Sequence, residues 1–249
     1  MLKIIRLEIL IILFLCLSMY ISHNVETSFY NYFSYFYQSF FQEIHLKKFF
    51  ENITRLGDSL WYFSTSILIV AVLLLLKKIK FFDKYRKNIS TINYYNLLLF
   101  LSVLTSGILT QIIKHVIGRP RPNSFDFEYG ADFKFFTLDS NFHSFPSGHT
   151  STIFAVFLVG SLLVPKIKYF FFFLATIIAL SRVSVGAHYI TDIVGGATIA
   201  FIGFKFSRLI ISKILNINNT NYLTVNGNFT LVIFVFLLLS AFLAVGPTL

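Results

Sequence analysis

The chain has 249 residues, of which 56% are hydrophobic and 13% are charged, and its formal net charge is +10. This composition excludes an ordinary soluble domain, because apolar stretches of about 17–25 residues, the length that crosses a bilayer, recur along it. The basic residues form no continuous stripe, so the membrane surface and an anionic substrate are better partners than nucleic acid. Cys16 is the single cysteine, which excludes a disulfide framework and a thiolate metal site.

Six apolar stretches predict transmembrane helices, and a seventh follows a polar linker. The N-terminus resembles a signal peptide, with Lys3 and Arg6 followed by the apolar run 7–20, but no small-residue cleavage site follows it, so we interpret it as an uncleaved first span. We predict an all-α, polytopic membrane helix bundle: residues 1–207 form a membrane-embedded domain with six core helices, and residues 208–249 form a linker and an extra C-terminal helix. The predicted spans are 4–21, 59–76, 93–113, 147–165, 169–180, 189–206 and 229–245.

The segments between the spans predict the orientation in the membrane. Residues 23–58 are rich in phenylalanine and tyrosine, which fits either a helix in the headgroup region or a buried aromatic hairpin. Residues 77–87 are the densest basic cluster, so the positive-inside rule places this loop and the turn 165–168 in the cytoplasm. Alternation of spans then places the loop 123–145 on the opposite, outer side.

Three short polar clusters are predicted to meet on that outer side, at 114–122, 145–149 and 181–192. Together they supply three fixed cations, two imidazoles, a carboxylate and a small-residue turn that opens a helix. The residues are Lys114, Arg121, Ser147, Gly148, His149, Arg182, His188 and Asp192.

These residue types suit the chemistry of a phosphoryl group. His188 and Asp192 are four residues apart, so on a helix they would share a face and the carboxylate would orient the imidazole. Gly148 would let the backbone approach a ligand, and the free amides at that helix start would bind an anion. Pro120 and Pro122 are predicted to end the third span. Three cations and a helix N-terminus match the charge on phosphoryl oxygens in a transition state.

This set of residues resembles the type 2 phosphatidic-acid phosphatase superfamily of membrane lipid phosphatases. The family pattern is Lys, six residues and Arg-Pro, then Pro-Ser-Gly-His, then Ser-Arg, five residues, His, three residues and Asp. The three clusters match it without a departure. The motifs cover residues 114–192, and the six-span arrangement extends the resemblance to about 1–207, so the seventh run is additional to the family plan.

The resemblance implies a role for each matched residue. His188 would be the nucleophile that forms a phosphohistidine, Asp192 would orient it, and His149 would protonate the leaving group and then activate water. The phosphoryl oxygens would be held by Lys114, Arg121, Ser147, the Gly148 amide and Arg182. No metal or other cofactor is expected, because the sequence offers no set of metal ligands.

Other polar residues near the clusters lie outside the family pattern. Arg119 is interpreted as a contact to a lipid headgroup or lipid phosphate. His143 is a further candidate for touching substrate, and His115 is expected at the membrane interface. His23 and His45 are expected to have no functional role.

The expected activity is hydrolysis of a phosphomonoester or pyrophosphate on a lipid, at the outer (periplasmic) face of a bacterial inner membrane. The candidate substrates are undecaprenyl pyrophosphate, phosphatidylglycerophosphate, phosphatidic acid and a lipid A phosphate, and the sequence does not choose among them. A phosphotransferase is an alternative, because a phosphohistidine can react with an acceptor other than water. A non-catalytic lipid-binding protein is another, although it would be free to lose His188 or His149. Vanadate-dependent haloperoxidases have a similar phosphate pocket, but this chain is too apolar to be one.

Overall fold

The structure is a computed structural model. The part of the chain that it describes contains seven α-helices, joined by 3₁₀ turns and loops, and no strand. The structure describes residues 2–41, 46–124 and 132–214, with the side chains of all of these except 2–7, 29, 31–41, 46 and 47. Residues 208–214 of the predicted C-terminal segment 208–249 are helical rather than a linker, and the rest of that segment, including the seventh apolar run, lies outside these residues. The helices are α1 (Leu2–Phe41), α2 (Leu46–Thr54), α3 (Ser59–Lys78), α4 (Arg86–Ile117), α5 (Gly148–Leu163), α6 (Lys168–Ser184) and α7 (Ile190–Ile214).

Six helical segments correspond to the six predicted core spans. Five of them are long and apolar enough to cross a bilayer, and α5 is a shorter apolar helix. The predicted all-α membrane bundle is therefore confirmed, and the chain is a multi-pass membrane protein. The five longer segments are Glu8–Ser28, Ser59–Lys78, Lys80–Ile117, Pro165–Ser184 and Ile190–Ile214.

Helices α4, α5 and α7 pack together at the centre, with α3 against α4 and α6 against α5. Leu98 and Ile153 are among the fully buried side chains of this core. Lipid tails are as apolar as these side chains, so close packing rather than exclusion from water holds such helices together. At Gly203 a Cβ atom would lie 2.8 Å from the backbone nitrogen of Ser106. The absence of a side chain there lets α7 approach α4 closely.

Helix α1 continues without a break from the first span into the aromatic segment. Its backbone is helical to Phe41, which excludes a hairpin within residues 23–41. The aromatic side chains 31–41 lie outside the description. The separate helix α2 packs against α6, and the 3₁₀ turn Arg55–Gly57 that follows it packs against α5. The end of the aromatic segment therefore lies against two of the helices that carry the predicted site.

Gly118, rather than the predicted prolines, ends helix α4. It adopts a left-handed φ of 59°, and its N–H donates to the carbonyl of Lys114 at 3.0 Å. This is a common helix-ending geometry that favours glycine. A side chain at this position would also overlap the carbonyl group of Lys134. Pro120 and Pro122 follow the helix end and do not cause it.

Candidate active site

His188 lies in the loop before α7, and its pairing with Asp192 differs from the predicted one. Because α7 begins at Ile190, the two residues do not share a helical face. Instead the Asp192 carboxylate turns back, so that Oδ2 accepts from the backbone N–H of Tyr189 at 2.8 Å and lies 3.4 Å from Nδ1 of His188. This return contact from the first helical turn resembles one half of a capping box. The predicted spacing argument is wrong, but the carboxylate does contact the imidazole.

Burial sets the charge state of His188. Its side chain is 3% exposed, and that of Asp192 is 0% exposed. Burial lowers the pKa of His188 to about 3; the hydrogen bond to Asp192 opposes this shift, and the charges of Lys114 and Arg182 add to it. The imidazole is therefore neutral at pH 7. If Nδ1 carries the proton towards the carboxylate, Nε2 has a free electron pair, which is the state that a nucleophile requires.

Two of the cations come from the end of α4 and the segment after it. Lys114 is buried in the last turn, and its Nζ donates to the backbone carbonyls of His143 and Ser144. Arg121 donates from Nε to the carbonyl of Ser140 at 3.0 Å. Both side chains are thus held by the loop that precedes α5.

The third cation, Arg182, lies in the last turn of α6. Its Nη1 donates to Oγ1 of Thr54 at 3.0 Å, while its buried Nε has no partner among the described residues. A guanidinium has five N–H donors, and Arg121 and Arg182 each use one in a side-chain hydrogen bond to the described part of the chain. Burial lowers the pKa of Arg121 and the charge of Asp192 opposes this, so the cation and the carboxylate are within electrostatic range. The remaining donors are available to an anion.

The turn before α5 supplies a helix N-terminus to the same place. Ser147 is the N-cap residue, and its Oγ accepts from the backbone N–H and the hydroxyl of Thr150 at 3.3 and 2.9 Å. The Ser147 N–H donates to the backbone carbonyl of Asp192 at 2.9 Å, which ties the starts of α5 and α7 together. A Cβ atom at Gly148 would have only the methyl group of Thr110, on α4, within 4 Å, at 3.9 Å. Protein packing therefore leaves open space at Gly148.

His149 follows in the first turn of α5, within range of the charges of Arg182, Lys114 and Arg121. Its backbone packs directly on Gly57, where a Cβ atom would lie 2.7 Å from the Cβ atom of His149. Sequence reasoning did not single out Gly57 or Thr54, which contact predicted site residues. A buried contact between segments so far apart in the chain leaves no periodic signal in the sequence.

Arg119 is not the headgroup contact that we predicted. Its side chain is 0% exposed, and it lies between two carboxylates. Nη1 donates to Oδ1 of Asp192 at 2.6 Å, and Nη2 donates to Oε2 of Glu26 at 2.8 Å. Glu26, on α1, was also not singled out. A carboxylate inside an apolar span is itself a signal of function, because an isolated charge there is costly.

The other histidines have varied surroundings. The ring of His143 is buried with Nε2 3.0 Å from the carbonyl of Thr137, so its backbone rather than its ring reaches the site cation Lys114. His115 is half-buried, and its ring centroid lies 4.4 Å from that of His143. His23, which we expected to have no functional role, has its Nδ1 3.4 Å from Nη2 of Arg119. His45 lies outside the described residues.

The ends of α4, α5, α6 and α7 thus bring together three cations, two imidazoles and a helix N-terminus. Preorganised donors of this kind stabilise the charge that develops on a transferring phosphoryl group. Over the residues that are described, no group of three or more His, Cys, Asp or Glu side chains is placed to hold a metal ion. The fold and the site define a multi-pass helical membrane protein equipped for phosphoryl chemistry.

Comparison with known proteins identifies the family. The model of the PAP2 superfamily matches residues 95–216. Lipid A 1-phosphatase of Rhizobium johnstonii is 38% identical over 164 residues, which are 64% of this chain and 64% of that enzyme. Phosphatidylglycerophosphatase B of Bacillus subtilis is 32% identical over 61% of this chain and 69% of that enzyme. The chain belongs to the PAP2 superfamily.

The fold agrees with a solved structure of the same family. The alignment with the crystal structure of a transmembrane PAP2-type phosphatidylglycerolphosphate phosphatase from Bacillus subtilis covers 86% of this chain and 97% of that chain, with a TM-score of 0.58. Sequence identity in this comparison is 21%, so it shows a shared fold. This chain spans just under two thirds of the length of the Rhizobium johnstonii enzyme.

Proposed function

We propose that this protein hydrolyses a phosphate ester of a membrane lipid through a phosphohistidine on His188. The observation that carries the proposal is a buried, neutral imidazole in contact with Asp192 and within range of the charges of Lys114 and Arg182. A neutral imidazole is a competent nucleophile, and the cations offset the charge of the phosphate that it attacks.

The first step transfers the phosphoryl group to the protein. Nε2 of His188 attacks phosphorus, and the P–N bond forms as the bond from phosphorus to the lipid oxygen breaks. His149 gives its proton to the departing lipid oxygen. A phosphate dianion entering between Lys114, Arg121 and Arg182 supplies the negative charge that an imidazolium at His149 requires. The Gly148 amide and the Ser147 hydroxyl hold phosphoryl oxygens at the start of α5.

The second step returns the protein to its resting state. His149, now neutral, takes a proton from water, whose oxygen attacks phosphorus as the P–N bond breaks. Inorganic phosphate leaves, and His188 is again a neutral imidazole. Asp192 keeps the ring in one orientation through both steps, because it contacts the nitrogen that does not react.

The substrate that we favour is a lipid A phosphate. The support is the 38% identity to a lipid A 1-phosphatase. Phosphatidylglycerophosphate is the second candidate, supported by the 32% identity to phosphatidylglycerophosphatase B. Both are membrane lipids whose phosphate lies in the headgroup layer, at the depth where the ends of the helices meet.

We place the site at the outer face of a bacterial inner membrane. Lys114 is in the last turn of α4 and Arg86 is its first residue, so about 40 Å of helix separates the site from the basic segment 77–87. The exposed lysines of that segment favour the cytoplasm by the positive-inside rule. The site then faces the periplasm.

The test is phosphate release by the purified protein in detergent, with EDTA present. The panel contains lipid A, phosphatidylglycerophosphate, phosphatidic acid and undecaprenyl pyrophosphate. We expect release from lipid A to be fastest, and we expect none from a folded His188→Ala variant.

A ³²P-labelled lipid should leave acid-labile label on the wild-type protein. Equal release by wild type and His188→Ala would disprove the covalent route, and transfer of label to an added alcohol in place of water would indicate a phosphotransferase. Lipid binding without turnover would indicate a non-catalytic protein.

A further inference from the structure

The Arg119 side chain is a fully buried cation that joins two helices. It is 0% exposed, forms ion pairs of 2.6 Å with Asp192 and 2.8 Å with Glu26, and its guanidinium carbon lies 4.0 Å from the centroid of the Tyr189 ring. A buried charge is tolerated only when partners compensate its lost hydration, and here two carboxylates and an aromatic face do so. The planar fork of arginine can direct its two Nη groups to different carboxylates, which a lysine ammonium cannot reproduce.

Arg119 also determines which oxygen of Asp192 faces the nucleophile. Oδ1 accepts from Arg119. Oδ2 accepts from the Ser144 hydroxyl and the Tyr189 N–H and lies 3.4 Å from Nδ1 of His188. Both oxygens of the carboxylate are thus engaged, so the carboxylate cannot rotate without breaking a charged hydrogen bond.

Glu26 connects this arrangement to helix α1. Its Oε1 accepts from the backbone N–H of Thr191 at 2.9 Å, and its Oε2 accepts from the Thr191 hydroxyl at 2.6 Å. Thr191 is in the first turn of α7, where a carboxylate is favoured by the unpaired N–H groups and the helix dipole. The same hydroxyl accepts from Nη1 of Arg119 at 2.8 Å. One glutamate from α1 therefore both caps α7 and pairs with the arginine that holds Asp192.

Other residues of α1 pack on the position next to the nucleophile. The rings of His23 and Tyr30 lie 5.7 and 6.0 Å from that of Tyr189 in edge-on geometry. The Tyr189 side chain also interacts with that of Thr27. Little of the α1 span is buried against the rest of the described chain, so among the described side chains this patch is a main point of attachment of α1 to α7.

We propose that Arg119 and Glu26 are positioning residues that orient Asp192, and through it His188, so that the docking of α1 completes the active site. The inference rests on the proposed function, since it concerns the nucleophile assigned there. Neither residue touches the phosphate. Their effect is to fix the carboxylate and the loop that carries the imidazole.

The experiment compares Arg119→Lys and Glu26→Gln with a matched control, Glu8→Gln. Glu8 of α1 forms an ion pair with α7, 2.9 Å from Nζ of Lys205, near the opposite end of the span. We expect the two site variants to lower kcat about 10- to 100-fold with little change in KM. This is the loss found when a residue that orients a metal-binding histidine is replaced. Glu8→Gln should keep the wild-type kcat even if it lowers Tm.

Two further measurements keep the test decisive if a variant folds poorly or the assay fails. Thr191→Ala removes the hydroxyl shared by Glu26 and Arg119 without leaving a buried charge unpaired, and it should lower kcat several-fold. In ¹⁵N-histidine spectra, Arg119→Lys and Glu26→Gln should shift the His188 ring resonances, whereas Glu8→Gln should not.

Each outcome separates the two proposals. Wild-type kcat and unshifted His188 resonances in folded Arg119→Lys and Glu26→Gln would overturn the positioning role and leave the phosphatase intact. A decrease in Tm equal to that of Glu8→Gln, with no change in kcat, would also overturn the positioning role, because it would assign both residues to helix packing. If wild type releases phosphate from no lipid, the proposed function fails, and the His188 spectra still decide the positioning role.

Discussion

At the level of single residues, the proposed chemistry depends on an imidazole that burial keeps neutral. Burial lowers the pKa of His188 to about 3, so its ring should stay unprotonated as the pH is lowered from 8 to 5. In the unfolded chain an ordinary histidine binds a proton near pH 6.5. Between these two values the unfolded state binds more protons, so the contribution of His188 to stability is present above about pH 6.5 and is lost as the pH falls below it.

This charge state can be measured directly. We expect ¹⁵N-histidine spectra of the protein in detergent to show the His188 ring, assigned by its loss in His188→Asn, with a constant neutral pattern over that range. The same samples followed by thermal unfolding should show Tm falling on the acid side. Protonation of His188 near pH 6.5 would contradict the prediction.

Gly148 leads to a second prediction at this scale. A Cβ atom here would meet only a methyl group at 3.9 Å, so Gly148→Ala should fold normally and, at the start of a helix, should not lower Tm. The methyl group would occupy the space in which we place a phosphoryl oxygen. We expect vanadate binding and phosphate release to fall at least about 10-fold, because the methyl group would displace the phosphoryl group from its reactive position. Gly107→Ala, which also adds a methyl group in open space on α4, is the control that should keep both. Unchanged vanadate binding in Gly148→Ala would remove this glycine from the phosphate site.

The sequence alone predicted only part of the candidate site. The eight motif residues could be selected because their types and spacing match phosphate chemistry and a family pattern. Arg119 was assigned to the wrong environment, because its partners Asp192 and Glu26 are 73 and 93 residues away in the chain. Spacing along a sequence carries information about neighbours on one helix, and none about which carboxylate a cation meets across the bundle.

At the level of elements, the turn Arg55–Gly57 links the aromatic segment to the site. Gly57 is buried against the backbone of His149, and Thr54 just before the turn accepts from Arg182. Gly57→Ala would place its Cβ atom 2.7 Å from that of His149, so the turn and the start of α5 must move apart. A displacement of about 1 Å in a reacting group can lower its rate about 10²-fold. We therefore expect Gly57→Ala to lower kcat by about 10- to 100-fold.

The measurement is kcat and KM for the best lipid substrate, together with Tm in the same detergent. Gly107→Ala again serves as the control for an added methyl group. A Gly57→Ala variant with wild-type kcat and unchanged Tm would mean that the contact with His149 has no functional consequence.

Helix existence was predicted better than helix ends. The apolar runs identified all six core spans, because bilayer thickness fixes their length. The ends depended on local contacts that hydropathy does not report. Gly118 ends α4 through a left-handed turn closed against Lys134, and α7 begins after His188 because Asp192 caps the Tyr189 N–H. The continuation of α1 to Phe41 was likewise not predicted, since aromatic density fits several backbones.

At the scale of the whole molecule, the bundle separates its charges. The site cations gather where α4 and α6 end and α5 and α7 begin, and the exposed lysines gather at the opposite ends of α3 and α4. Each site cation is held by a carbonyl or hydroxyl group, whereas the lysines at the other end face solvent. In the orientation that we propose, the basic residues on the outer side lie where phosphate chemistry would require them, and those on the inner side follow the positive-inside rule.

That separation predicts sidedness, which determines the lipid pool that the protein reaches. Ser124, in the segment after Arg121, should face the periplasm, and Asn88, exposed at the start of α4, should face the cytoplasm. The test places a single cysteine at either position in a Cys16→Ala background and treats intact cells with a maleimide that does not cross membranes. We expect Ser124→Cys to react and Asn88→Cys to react only after the cells are opened, because about 40 Å of α4 separates the two ends. Labelling of Asn88→Cys alone in intact cells would place the site in the cytoplasm, and lipids available only in the outer leaflet could then not be substrates.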